Sequence, residues 1–145
     1  MTLTPEIARQ LRACAVPTIN AVMAKSGLGS NHMRHVAPVG PTRRFVGRAV
    51  TLRAIPTRED LRARVAAGEL PDLQNKAFES LGRDDVLVID AGADMRASVF
   101  GDIMATYAQV AGAAAIVIDG CVSDREAIGG MDLPVFARGN AATSA

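Results

Sequence analysis

The chain has 145 residues, which fits one compact domain. Its formal net charge is only +1, with arginines interleaved among acids rather than gathered into a run, which argues against a nucleic-acid footprint. Hydrophobic residues make up 49% and aromatic residues 3%, so the expected core is Ala, Val, Ile and Leu in close-packed layers rather than around large rings.

The amino-terminal stretch MTLTPEIARQ has no apolar leader, and no run approaches bilayer length, so a cytoplasmic protein without a membrane span is expected. Thr4, Pro5 and Glu6 read as a helix start, with Ile7 and Leu11 at helical spacing until Val16-Pro17 interrupts. A second helix is expected from about Thr18, with Ile19, Val22 and Met23 on one face, ending at Ser26-Gly27. Residues 27–44 are rich in Gly and Pro and read as loop, residues 45–55 have strand character, and Pro56 ends that strand. Residues 57–81 read as two helical pieces split at 68–71, with Leu73, Ala77, Phe78 and Leu81 on one face of the second.

From residue 85 the pattern is regular. A buried strand over 85–91 is followed by a loop over 92–100 and a helix over 101–112, in which Ile103, Met104, Tyr107, Ala108 and Ala111 form an apolar stripe. A second buried strand over 113–119, a short loop over 120–123, a helical turn over 124–130 and a third strand from 134 complete a β-α-β-α-β segment. Such segments give parallel strands with right-handed crossovers, and the fold class is α/β.

Parallel α/β sheets bind ligands outside the carboxyl ends of their strands, against the starts of the following helices. Two loops end at that edge, one at Gly101-Asp102 and one at Ser123-Asp124. Unpartnered N–H groups at Gly101, Asp102, Ile103 and Met104 suit a substrate carboxylate. Two readings stand for Asp102 and Asp124: each caps its own helix, as Asp commonly does, or the pair supplies oxygen ligands to a hard cation.

Other candidates carry less. His32 and His35 share a possible helical face but lie in loop-like sequence with no third ligand nearby. Cys121 adjoins the site without a neighbouring His and reads as a small buried thiol; with Cys14 so distant, no disulfide framework is suggested. Asp84-Asp85 reads as a turn before the strand, Asp94 and Arg96 as loop charges over the site, Asp119 as a strand end and Glu126 as solvated. The arginines of 43–53 lack the interleaved aromatics of an RNA-stacking groove.

The ordered blocks GDIMA (101–105), IVIDGCVSD (116–124) and PVFARG (134–139), with VPTINAVM (16–23), GRAVTL (47–52) and DVLVIDA (85–91), resemble the family of the regulator of ribonuclease activity A and the 4-hydroxy-4-methyl-2-oxoglutarate aldolases. The resemblance covers nearly the whole chain and is specific as a combination, because the intervals match as well as the blocks. It implies a swivelling β/β/α-type domain and a homotrimer or hexamer with active sites between subunits. For the aldolase branch it implies an Mg2+- or Mn2+-dependent lyase that acts on a small 2-oxo acid through a pyruvate enolate, as in aldol cleavage or oxaloacetate decarboxylation. In that branch Gly101, Asp102, Ile103 and Met104 correspond to the loop contacting the pyruvyl part of the substrate. Asp124 corresponds to the metal-serving residue, and Asp102 to the catalytic residue beside the metal-bound water.

Two departures accompany the resemblance. Ser123 stands where the family carries an arginine before Asp124, so a neutral hydroxyl replaces a charged planar fork towards the substrate, and Arg125 lies two positions later. The sequence also stops at residue 145, where family members continue into further strands. The expectation is a single RraA-like domain over 1–145 lacking those strands, with the open sheet edge covered by a partner. The alternative reading is a non-catalytic RraA-like regulator that binds and inhibits a ribonuclease.

Overall fold

A computed structural model describes residues 3–29, 31–41 and 43–143. Ser30 and Thr42 of the expected 27–44 loop, and the ends of the 1–10 and 139–145 stretches, lie outside the described residues. The elements run α1 (Pro5–Ala13), α2 (Val16–Lys25), β1 (Ala37–Pro38), β2 (Arg48–Arg53), α3 (Glu59–Ala66), α4 (Leu73–Glu79), β3 (Asp85–Asp90), α5 (Asp102–Val110), β4 (Ala115–Asp119), β5 (Cys121–Val122), α6 (Arg125–Gly129), β6 (Val135–Ala137) and β7 (Gly139–Asn140). No helix among them is long and apolar enough to cross a membrane.

The main sheet has the order β1-β6-β4-β3-β2. Strands β2, β3, β4 and β6 are parallel, and β1 closes the far edge antiparallel to β6. The expected α/β class with its parallel β-α-β-α-β segment is therefore present as β3-α5-β4-α6-β6. Strands β3 and β4 are central and apolar on both faces, as parallel strands under helices must be. Strand β2 is an edge, and its arginines follow from that position: Arg48 pairs with Asp85 at 2.9 Å and Arg53 with Asp90 at 3.3 Å, each onto its register neighbour in β3.

Several expectations need correction. Helix α2 begins at Val16 rather than Thr18, because Pro17 sits in its first turn, where its missing N–H is harmless. The expected loops at 27–44 and 120–123 contain β1 and β5, and the strand from 134 divides into β6 and β7. These short strands exist only through distant partners, Ala37 with Ala137 and Cys121 with Gly139. The core does contain rings: Phe100 is among the largest fully buried side chains and stacks on Phe78, with centroids 6.2 Å apart. On α5 the buried positions are Ala105 and Ala108, whose small side chains let the helix lie close over the sheet, whereas Ile103 is 82% exposed. Leu73 of α4 is likewise 65% exposed and not part of the core face with Phe78 and Leu81.

Candidate functional site

The carboxyl ends of β3 and β4 lead into the two segments that the edge rule singled out. The chain from β3 passes through Ser98, whose backbone bridges to Cys121, and buried Phe100 before α5 starts. The chain from β4 passes through β5 to Ser123. The two segments are tied together where they end, since the Ser123 amide donates to the Phe100 carbonyl at 2.9 Å. That bond brings Gly101-Asp102 beside Ser123-Asp124.

Neither aspartate makes an N-cap side-chain bond to its own helix, although Asp102 does satisfy one first-turn amide of α5. Gly101 is the N-cap of α5 in extended backbone, and Asp102 is the first helical residue; its Oδ1 accepts from the Ile103 amide at 2.7 Å. Asp124 takes the N-cap position of α6 in the left-handed region (φ 50°), one of the few side chains at ease there, and makes no capping bond to α6. Its Oδ2 instead accepts from the Ser123 hydroxyl at 2.7 Å and faces the Asp102 amide at 3.4 Å. The carboxylate thus reaches across to the positive end of α5 rather than its own helix. Gly101 has to be small: a Cβ there would lie 2.9 Å from both Asp124 Oδ2 and Ser123 Oγ.

Asp102, Asp124, Arg125 and Glu126 line one shallow surface concavity. Gly101 and Ser123 line a separate cavity of ≈ 370 Å³, walled partly by residues from the end of β2 and the start of α4. Sequence reasoning missed that wall. The strand-edge rule applied to β2 would have found Leu52 and Arg53, but nothing local to Leu73 or Gln74 signals that α4 turns towards this edge.

The remaining candidates fall elsewhere. His32 and His35 are exposed, and no group of three or more His, Cys, Asp or Glu side chains able to hold a metal occurs among the described residues. Asp94 and Arg96 pair with each other at 2.7 Å on a neighbouring concavity, and the Arg96 guanidinium lowers the Asp94 carboxyl to about 2. Cys121 is fully buried with its Sγ 3.6 Å from Met95 Sδ, and burial raises its thiol pKa. Asp119 ends β4 and pairs with Arg138. Asp85 does more than end a turn, being 4% exposed and holding Arg48 and the Gly82 amide.

Comparison with known proteins adds an identity of family. The family model RraA-like: Aldolase/RraA matches residues 13–145. A protein of Aromatoleum aromaticum named "Putative 4-hydroxy-4-methyl-2-oxoglutarate aldolase" is 40% identical over 68 residues, covering 47% of this chain and 43% of its own length. Proteins of the same name from Halalkalibacterium halodurans and Burkholderia mallei are 29% and 34% identical, covering 86% and 61% of this chain and 53% and 46% of themselves. The chain therefore spans about half the length of the curated relatives it matches. Among solved structures, Streptomyces coelicolor RraAS2, described as an unusual member of the RNase ES inhibitor RraA protein family, superposes with a TM-score of 0.83 at 24% identity, covering 99% of this chain and 68% of that one. The RNA-processing inhibitor RraA of the Thermus protein superposes with a TM-score of 0.65 at 24% identity over 86% of this chain and 68% of that one. At that identity these likenesses establish the fold.

Proposed function

The chain belongs to the RraA-like family, Aldolase/RraA, and from that premise we propose that it is a divalent-metal-dependent lyase cleaving a 2-oxo acid through a pyruvate enolate, of the 4-hydroxy-4-methyl-2-oxoglutarate aldolase or oxaloacetate decarboxylase type. The observation that carries the reading is the meeting of Gly101-Asp102 with Ser123-Asp124, where Asp124 Oδ2 accepts from Ser123 Oγ and faces the Asp102 amide. The names borne by the relatives point to the same reaction class.

The donor set suits a hard cation. Asp124 and Asp102 offer a pair of carboxylates on an open edge, with no third His, Cys, Asp or Glu ligand grouped with them among the described residues, which suits an ion such as Mg2+ or Mn2+ that keeps several waters. Asp124 would hold the ion, with Asp102 beside it. When bound, the ion supplies Lewis-acid stabilisation of the negative charge that develops on the 2-oxo group.

The other tasks fall to the chain itself. The start of α5 would offer its first-turn amides to the substrate carboxylate, which would take the place of the contacts that the Asp102 and Ile103 amides now make with Asp124 Oδ2 and Asp102 Oδ1, at 3.4 and 2.7 Å. A substrate anion placed beside two carboxylates needs positive charge nearby, which a bound cation would supply together with Arg125 of the same concavity. Asp102 would hold the water that takes up the hydroxyl proton in aldol cleavage. Ser123 holds Asp124 in place through its hydroxyl. The proposal includes a homotrimer or hexamer with sites completed between subunits; the exposed Ile103 (82%) beside the site and Val110 (83%) at the far end of α5 support it.

The test is pyruvate release from oxaloacetate and 4-hydroxy-4-methyl-2-oxoglutarate, with and without Mg2+, by the native protein, Ser123→Arg and Asp124→Ala. Metal-dependent release that Asp124→Ala abolishes is expected, and faster release by Ser123→Arg. Absence of metal-dependent release from both the native protein and Ser123→Arg would reject the lyase reading and turn attention to the ribonuclease-binding alternative.

A further inference from the structure

Asp102, Asp124, Arg125 and Glu126 share one concavity where the starts of α5 and α6 meet. Two aspartates already balance the charge of a divalent ion. The second carboxylate of a dicarboxylic oxo acid, lying outside the chelate, therefore meets acidic side chains and is repelled unless a cation faces it. Of the residues lining the concavity, Arg125 alone is basic.

The other arginines at this edge of the sheet are engaged. Arg96 pairs with Asp94 at 2.7 Å and Arg138 pairs with Asp119. Arg53, exposed and held only loosely by Asp90 at 3.3 Å, lines the adjoining ≈ 370 Å³ cavity rather than the concavity of the aspartates. Arg125 is exposed at the first position of α6 and makes no ion pair among the described residues. Glu126 follows it directly, and consecutive helix positions do not face each other. Its planar fork is therefore free to take both oxygens of a carboxylate.

We propose that Arg125 binds the second carboxylate of the substrate and so selects a 2-oxo dicarboxylic acid over a monocarboxylic one. The inference rests on the lyase reading for the position of the oxo-acid head, and it adds the residue that reads the far end. In aldol cleavage of such an acid that carboxylate stays on the fragment that leaves the enolate, so one fork can hold it throughout.

Two five-carbon acids serve as probes: 2-oxoglutarate, ending in a carboxylate, and 2-oxopentanoate, ending in a methyl group. Neither carries the 4-hydroxyl that aldol cleavage requires. Isothermal titration of the native protein in Mg2+ should show 2-oxoglutarate binding about tenfold more tightly. Arg125→Gln should remove that preference by weakening 2-oxoglutarate alone, with circular dichroism unchanged, and Arg125→Lys should keep part of it. Arg53→Gln should leave the ratio as it is. Equal binding of the two acids by the native protein, binding of neither, or a preference that survives Arg125→Gln overturns the proposal. So does a preference lost in Arg53→Gln instead, which would place the second carboxylate in the adjoining cavity. An Arg125-dependent preference in a protein without metal-dependent turnover would sustain this assignment while the lyase reading fails. Metal-dependent turnover without that preference would do the reverse.

Discussion

The Ser123 hydroxyl donates to Asp124 Oδ2 at 2.7 Å, and the same oxygen lies 3.4 Å from the Asp102 nitrogen. The hydroxyl is itself fixed, because the Ser123 amide is bonded to the Phe100 carbonyl at 2.9 Å. One carboxylate oxygen is thereby held by the chain, which orients the whole group. Under the metal reading, Ser123→Ala should weaken Mn2+ binding about tenfold, the usual scale for losing a partner behind a metal ligand. Ser123→Thr, which keeps the hydroxyl, should restore most of it. The paramagnetic resonance signal of free Mn2+ during titration measures both. An unchanged affinity in Ser123→Ala would remove the positioning role.

Gly101 and Gly47 both lack room for a side chain, but for different neighbours. At Gly101 an added Cβ meets the side chains of Asp124 and Ser123; at Gly47 it meets the backbone carbonyl of Asp84 and, at 2.8 Å, Val86 Cγ2. Gly101→Ala should therefore keep the fold and swing the carboxylate away, abolishing Mn2+ binding with little change in melting temperature. Gly47→Ala should cost about 1–3 kcal/mol of stability, because backbone beside a central strand yields poorly. Thermal melts alongside metal titration separate the two. A Gly101→Ala protein that binds Mn2+ normally would contradict the site geometry.

The strands that frame the site were legible because buried parallel strands are continuous apolar runs, and residues 85–91 and 113–119 are such runs. Asp102 and Asp124 were legible for a related reason: the edge rule depends on strand order in the chain rather than on side-chain contacts. What each aspartate binds was not legible, since Asp124 reaches α5 rather than α6, and only the fold brings residues 22 positions apart together. The faces of α4 and α5 were misjudged at Leu73 and Ile103 because periodicity reveals an apolar stripe but not which part of it the sheet covers. Strands β1, β5 and β7 carry no local signal, as two residues have no period.

The two cysteines should differ sharply in reactivity. Cys14 is exposed after α1, whereas Cys121 is fully buried against Met95 and its thiol is raised by burial, with the Asp94 charge adding to the effect. Thiolate is the reactive form, so burial and a raised pKa act in the same direction. One thiol per chain should react with Ellman's reagent in the native protein at about pH 8, and both after denaturation. Rapid reaction of both thiols in the native state would show that the β4–β5 corner opens.

Asp85 supplies the acid-side stability that the fold should reveal most clearly. Its carboxylate takes two hydrogen bonds from the Arg48 guanidinium, at 3.0 and 2.9 Å, and one from the Gly82 amide at 2.9 Å. The bonds from Arg48 hold its pKa below the ordinary carboxylate value, against the opposing effect of burial. A carboxylate lowered on folding contributes stability above its unfolded pKa of about 4, and the contribution is lost as pH falls through the lower folded value. Asp85→Asn should therefore lose about 1–3 kcal/mol at neutral pH, and the gap to the native protein should close as pH falls below about 4. Asp94 is also lowered, to about 2, but its partner Arg96 is an exposed loop residue, so Asp94→Asn should change the curve little. Urea unfolding of the three proteins at about pH 7 and about pH 3 decides the matter. A deficit in Asp85→Asn that stays constant between the two would mean that its cost comes from packing rather than from the ion pair with Arg48.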